Sequence, residues 1–169
     1  IFSKLRDINP FVEALIDIKK KDIAFYNRLN ILFFGNIDDN EAKERLASLD
    51  NVKVSDRIPF REALRYMINA DILLLFGNKN SKQIPAKIYD YFGCRGKVLV
   101  ILGDKKDPII NLVKDIDKCN LTNNDKIYIE ENLRTIVKEL ENKKEYKELV
   151  EFESKNISRK LNSIIKGEI

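Results

Sequence analysis

Asp71-Ile-Leu-Leu-Leu-Phe76-Gly77 and Val98-Leu-Val-Ile-Leu102-Gly103 bracket a polar stretch in which Pro85 opens a helix. Each is a short apolar run closed by a glycine. Runs without polar alternation read as strands covered on both faces. Between them, Ile88 and Phe92 sit one helical turn apart, behind a proline suited to a first helical turn. Strand, crossover helix and strand make a right-handed parallel unit.

The same alternation extends outward in both directions. Ile31-Leu-Phe-Phe34 ends in Gly35, and Val52-Lys-Val54 is short and alternating. Ile127-Tyr-Ile129 is a weaker sixth candidate if the Ile1-Phe2 stub counts as the first. Asn9-Pro10 suits an N-cap with proline at the first helical position, followed by Phe11, Ala14, Leu15 and Ile18 at helical spacing. Asp39 or Asn40 caps a helix carrying Ala42 and Leu46. Pro59 opens one with Ala63, Leu64, Met67 and Ile68, and Pro108 one with Ile109, Leu112, Val113 and Ile116. From Glu130 to Asn142 the pattern Leu133, Ile136, Val137, Leu140 is helical. Lys143 to Lys147 is charged, and Phe152, Ile157, Leu161, Ile164 and Ile165 suggest a terminal helix. The expected class is α/β: a Rossmann-like three-layer α/β/α sandwich with a parallel sheet of about six strands and a helical C-terminus. No repeat or Ser/Gly linker divides it, so residues 1–169 read as one domain.

Composition narrows the chemistry. The chain has no histidine, which removes Ser–His–Asp triads, Cys–His dyads and His-ligated zinc within it. Cys94 and Cys119 are far apart, form no CxxC, and read as small core residues in a reducing compartment. The balance of 31 basic against 27 acidic residues, net +4, permits an anionic ligand but is too mixed for a nucleic-acid protein. Six glycines supply neither GxGxxG nor GxxxxGK[ST]. No apolar run spans a membrane and no signal peptide opens the chain, so a cytoplasmic setting is expected; a start at Ile1 rather than Met suggests a fragment.

Ligands of open α/β sheets bind beyond the carboxyl ends of the strands. The richest loop there is Gly77 to Lys87, polar and basic, leading into a helix start whose free amides favour an anion. Lys79, Lys82 and Lys87 add charge. Asp90, three residues after Lys87, could accept two vicinal ribose hydroxyls, or simply pair with Lys87 on a solvated helix. Arg57-Ile58-Pro59 offers a rigid apolar surface to a base, or is an ordinary turn. Lys4 and Arg6 could reach a diphosphate, or form surface pairs. Asp104, Asp107 and Asp115 read as loop and cap residues, and the charged run Glu139 to Glu148 as a solvated helix face.

Lys82-Gln-Ile-Pro-Ala-Lys-Ile-Tyr-Asp-Tyr-Phe-Gly93, followed by Lys97-Val-Leu-Val-Ile101, resembles the iPxKlyEYlaxgkPvl signature of the C-terminal domain of GT-B glycosyltransferases, family-4-like (glycosyl transferases group 1). Leu5 to Leu15, Ile31 to Gly35, Val52 to Pro59 and Ala70-Asp71-Ile72 follow in the family's order, so the resemblance covers nearly the whole chain. It implies a nucleotide-sugar donor-binding domain, UDP- or GDP-linked, whose N-terminal acceptor domain is absent from the chain. The enzyme would transfer a hexosyl group to an acceptor glycan or lipid with retention and without a metal or other cofactor. The fragment alone would bind donor without turnover. Peripheral membrane contact would come through the full-length protein. Asp90 falls where the family places a ribose-binding Glu; Arg57, Ile58 and Pro59 where its base loop lies; Ile84, Pro85 and Lys87 in its donor loop. Lys4, Arg6 and Lys82 would stabilise the departing diphosphate. Three positions depart from the pattern: Lys82 stands eight residues before Asp90 where the family has a second acid, Asn9 stands for a basic residue, and Val98 for a proline. The alternatives are a flavodoxin-like receiver, which Asp7 and Asp56 fit poorly, and a degenerate transferase domain kept for protein–protein contact.

Overall fold

The computed structural model describes residues 1, 3–80, 82–142, 146–153, 155–157, 159 and 163. Strand β1 (Ile31–Phe34) pairs in parallel with β2 (Val52–Ser55), Ile31 opposite Val52. A second parallel sheet has the order β3 (Ile72–Phe76), β4 (Lys97–Ile101), β5 (Cys119–Thr122), with Ile72 opposite Lys97 and Val98 opposite Cys119. The helices are α1 (Asn9–Lys21), α2 (Ile23–Tyr26), α3 (Asn40–Ala47), α4 (Phe60–Asn69), α5 (Lys87–Phe92), α6 (Ile109–Val113) and α7 (Lys126–Glu141). A 3-10 turn covers Val150–Phe152.

Strand β4 shows why the apolar runs could be read as doubly covered. Leu99 and Ile101 join a core with α1, α2, α3 and α7, whereas Val98 and Val100 join a second core with α4, α5 and α6. The period-two alternation of a strand thus feeds two helical layers. All four side chains are at most 1% exposed. Full burial of one such side chain stabilises by roughly 1.5–3 kcal/mol.

The single sheet of about six strands is corrected to two sheets, because β1 and β3 are not hydrogen-bonded to one another. Ile1 lies in no strand: its carbonyl accepts from the Asp38 amide at 3.2 Å, and Phe2 is outside the described residues. Ile127-Tyr-Ile129 belongs to α7 instead. The Asp125 carboxylate caps that helix, accepting from Ile127 N at 2.9 Å. Ile129, Leu133 and Ile136 are buried along one helical face, while Ile127 and Tyr128 are exposed. A capped face of several turns outweighs a three-residue alternation. The last strand is Cys119-Asn-Leu-Thr122, whose polar second residue hid it. Ile8, not Asn9, is the cap residue of α1; the Asn9 side chain instead bonds Asp7, Asp39 and Arg45. Of the expected terminal helix, Phe152 packs on Phe92 with ring centroids 4.5 Å apart, and Leu161, Ile164 and Ile165 lie outside the described residues.

The charged run after Glu139 is not simply a solvated face. Lys97 is 2% exposed at the start of β4, and its ammonium meets Glu139 Oε2 at 2.9 Å, the Tyr146 hydroxyl at 2.8 Å and the Asp117 carbonyl at 2.9 Å. The Tyr146 hydroxyl donates onward to Glu139 at 2.7 Å. A buried cation needs such partners. No helix among the described residues is long and apolar enough to cross a membrane.

Leu99→Ala is expected to lower the unfolding free energy by about 2–5 kcal/mol. Ile127→Ala, on the exposed side of α7, should change it by less than about 0.5 kcal/mol. Urea titration of both variants checks the pair. A large loss at Ile127 would contradict the helical placement.

Candidate functional site

The loops at the carboxyl ends of the strands are tied together by one buried amide. Asn78, just beyond β3, is 4% exposed. Its Oδ1 accepts from Arg6 Nε at 2.9 Å, and its Nδ2 donates to the Gln83 carbonyl at 2.9 Å. This closes the 78–83 turn and holds the Arg6 guanidinium against it. A backbone bond from Lys79 N to the Leu5 carbonyl, 2.7 Å, fixes the same pair of segments.

The neighbouring loop locks against this turn through two glycines. A Cβ on Gly77 would overlap the Asp107 carboxylate, and one on Gly103 would overlap the Asn78 backbone. Asp107 accepts from the amides of Gly103 (3.0 Å) and Ile109 (3.1 Å). Asp104 accepts from Asn80 N and Lys106 N, each at 2.7 Å, where Asn80 adopts φ 52°. These amides, Asn80 first, hold the Asp104 carboxyl below the usual carboxylate range. Asp104 and Asp107 are therefore loop and cap residues, as their positions suggested. Among the described residues no cluster of three His, Cys, Asp or Glu could hold a metal.

Arg57 approaches from the other sheet. Its side chain lies over Gly35, which follows β1 with φ 118°. With Ile1, Phe33 and Phe34 it lines a cavity of about 260 Å³. Burial lowers the pKa of the Ile1 amine most and Arg6 lowers it next, while Asp38 raises it and Arg57 lowers it more weakly. Arg6, held by Asn78 just beyond β3, and Arg57, over Gly35 just beyond β1, thus sit on different loops at the carboxyl ends of the strands.

The other expected residues are arranged differently. Lys4 and Lys82 are exposed on their turns. Arg57, Ile58 and Pro59 do not form one surface. Ile58 is half-buried, and Pro59 is the cap residue of α4 and lines a separate outer groove with Arg61, Arg65 and Tyr66. Ile84 packs on the second core and Pro85 is buried, so both support the loop. Lys87 and Asp90 form an ion pair of 3.0 Å, each side chain 43% exposed. The Lys87 ammonium also lies 5.9 Å from the Phe60 ring centroid. That ring is 63% exposed.

Asn78 and Phe60 are the residues that sequence reading missed. Nothing in a loop asparagine announces burial, since its importance lies in partners 72 positions back and 5 ahead. Phe60 carried a faint signal, an aromatic directly after Pro59 outside the apolar face of its helix. No protein-family model matches the chain, and no curated protein matches it.

Asn78→Ala should cost about 1–3 kcal/mol in chemical denaturation, because it removes two hydrogen bonds made by a buried side chain, to the Gln83 carbonyl and the Arg6 guanidinium. Lys82→Ala should stay within about 0.5 kcal/mol. Asp104 makes a second expectation. Its pKa is depressed in the folded state, so its contribution is present above about pH 4 and is lost as pH falls through the folded value. The amide shift of Asn80, followed by NMR on acidification, should move with that loss. The transition should vanish in Asp104→Asn.

Proposed function

We propose that this chain is the donor-binding domain of a GT-B-type glycosyltransferase, built on a Rossmann-like sandwich. It would take a UDP- or GDP-linked hexose and serve transfer to an acceptor glycan or lipid held by a second domain. The observation that carries this reading is Arg6, anchored by buried Asn78 just beyond the carboxyl end of parallel strand β3. That is where ligands of such sheets bind. A diphosphate leaving group suits a fixed guanidinium better than a mobile lysine, because its fork can hold two oxygens.

In this reading the chemistry of the domain is electrostatic. As the glycosyl bond to the diphosphate breaks, negative charge accumulates on the leaving oxygen, and preorganised cations lower the barrier. Arg6 serves as the fixed cation, and Lys4 and Lys82 close on the diphosphate from their exposed turns. The amides around Pro85 to Lys87 add donors. Arg57 and Ile58 flank the base, with exposed Phe60 as a stacking surface. Asp90 releases Lys87 and accepts the ribose hydroxyls. Retention, independence from metal and a cytoplasmic site, at the membrane face through the whole protein, complete the proposal.

A specific observation favours a second reading. Asp90 and Lys87 already satisfy one another, as they would in a non-catalytic α/β interaction or regulatory module.

A thermal-shift panel of UDP, GDP, ADP, TDP and their sugars at ~1 mM separates the two. A site with a dissociation constant of roughly 100 μM adds about 1.4 kcal/mol, a rise of roughly 3–6 °C for a domain of this size. One base should give that rise. Arg6→Ala should weaken it about tenfold or more, the loss of a charged hydrogen bond of roughly 1.5–3 kcal/mol, and Asp90→Ala should weaken it likewise. No shift with any nucleotide would overturn the donor reading and leave the interaction module.

A further inference from the structure

Residues 146–153 lie against the carboxyl end of α5 and belong to neither sheet. The segment follows α7 in the chain and contains the 3-10 turn Val150–Phe152. It is fastened at three places. At its start the Tyr146 hydroxyl meets Lys97 and Glu139. In its middle Leu149 N donates to the Phe92 carbonyl at 2.9 Å, and Glu148 pairs with Arg95 at 3.2 Å. At its end the Phe152 ring lies 4.5 Å from the Phe92 ring and 6.2 Å from the Tyr89 ring, centroid to centroid.

The body groups that these polar contacts satisfy have other partners. Without Tyr146, Lys97 keeps the Glu139 carboxylate and the Asp117 carbonyl, each at 2.9 Å. Without Leu149, the Phe92 carbonyl keeps the Lys118 ammonium at 3.5 Å, which also donates to the carbonyls of Tyr91 and Cys94. Arg95, its side chain 79% exposed, returns to water, and a surface pair of that kind contributes little. Departure of the segment therefore leaves none of these buried groups unpaired, which is the usual penalty for opening a folded structure. What holds it is apolar contact: Leu149 and Phe152, both half-buried, pack on the second core.

The helix beneath is one that needs holding. Six residues form too short a helix to be stable by themselves, so α5 depends on what packs against it. Ile88 and Phe92 are fully buried in the second core. Tyr89 lies edge-on to Phe92 at 6.1 Å and shares the Phe152 ring with it. Lys87 and Asp90, the ion pair described above, flank these contacts on the same helix.

We infer that residues 146–153 are a detachable strap that clamps α5. Docked, the strap fixes the helix and with it Lys87 and Asp90. Released, it loosens the helix while the sheets stay folded, a local opening distinct from global unfolding. The state of the chain beyond α7 is thereby transmitted along α5 to its first turn, where Ile88 N bonds the Pro85 carbonyl at 3.1 Å.

Hydrogen exchange on the whole chain tests this, with no nucleotide present, so the outcome is independent of the donor reading. Four amides are followed: Leu149 in the strap, Cys94 at the carboxyl end of α5, Ile88 at its amino end, and Leu102, bonded to Thr122 O at 2.9 Å, for the sheet. In the unmodified protein Leu149, Cys94 and Ile88 should share one opening, with a smaller urea dependence than that of Leu102. Phe152→Ala should speed exchange at these three amides about tenfold or more and leave Leu102 within about twofold. Equal acceleration at Leu102 overturns the proposal, because strap and sheet then open as one unit. Acceleration that leaves Ile88 unmoved also overturns it, because the strap then rests on α5 without clamping it. Unchanged exchange at Leu149 overturns it as well, since Phe152 then fastens nothing.

Discussion

The burial of β4 on both faces is the constraint on which the remainder of the structure rests. Val98 and Val100 face one helical layer, and Leu99 and Ile101 the other. A slip of one residue would exchange the two faces and misfit both cores at once. The register with β3 and β5 is thereby fixed, and with it the positions of Gly77 and Gly103 at the carboxyl ends. These glycines let the two loops touch, and that contact buries Asn78 and orients Arg6. The geometry of the candidate site is thus a consequence of packing two strands away from any ligand.

Charge is divided between structure and surface in a consistent way. Lys97 and Lys118 are buried. Lys97 answers Glu139 and Tyr146 at the amino end of β4, and Lys118 donates to the carbonyls of Tyr91 and Cys94 at the end of α5, where burial lowers its pKa. A cation at a helix carboxyl end satisfies carbonyls that lack intrahelical donors. Carboxylates serve similarly at helix starts: Asp22, Asp39 and Asp125 each accept from an amide in the first turn. Arg6, bonded to Asn78 just beyond β3, and Arg57, just beyond β2, lie at the carboxyl ends of the strands.

Much of the fold was legible because it depended on local patterns. The runs ending at Gly35, Gly77 and Gly103, and the helices opened near Pro10, Pro59, Pro85 and Pro108, all appear close to where periodicity and proline placed them. Two elements at the C-terminal end were misread. Ile127-Tyr-Ile129 carries the alternation of a strand, but a capped helix buries Ile129 with Leu133 and Ile136. Cys119-Asn-Leu-Thr122 has a weak pattern of its own and becomes a strand because β4 offers it a partner edge. The site was legible as a set of loops and not as a constellation. Lys82 and Lys87 stood out by charge, yet Asn78, which orders the turn, and Phe60, whose ring the Lys87 ammonium approaches, depend on partners distant in the chain.

The sequence by itself determined the α/β class, the parallel sense of the strands, the helix starts and the collection of basic residues in the loops, because spacing, proline and glycine act over a few residues. Only the tertiary structure decided that the strands divide into two sheets, that Glu139 and Tyr146 are committed to Lys97, that Asp90 pairs with Lys87, and that buried Asn78 holds Arg6. Those outcomes depend on which edges, charges and loops become neighbours after the helical layers close over β4. Close approach between distant segments is set by the packing of the whole chain and leaves no local periodicity to read.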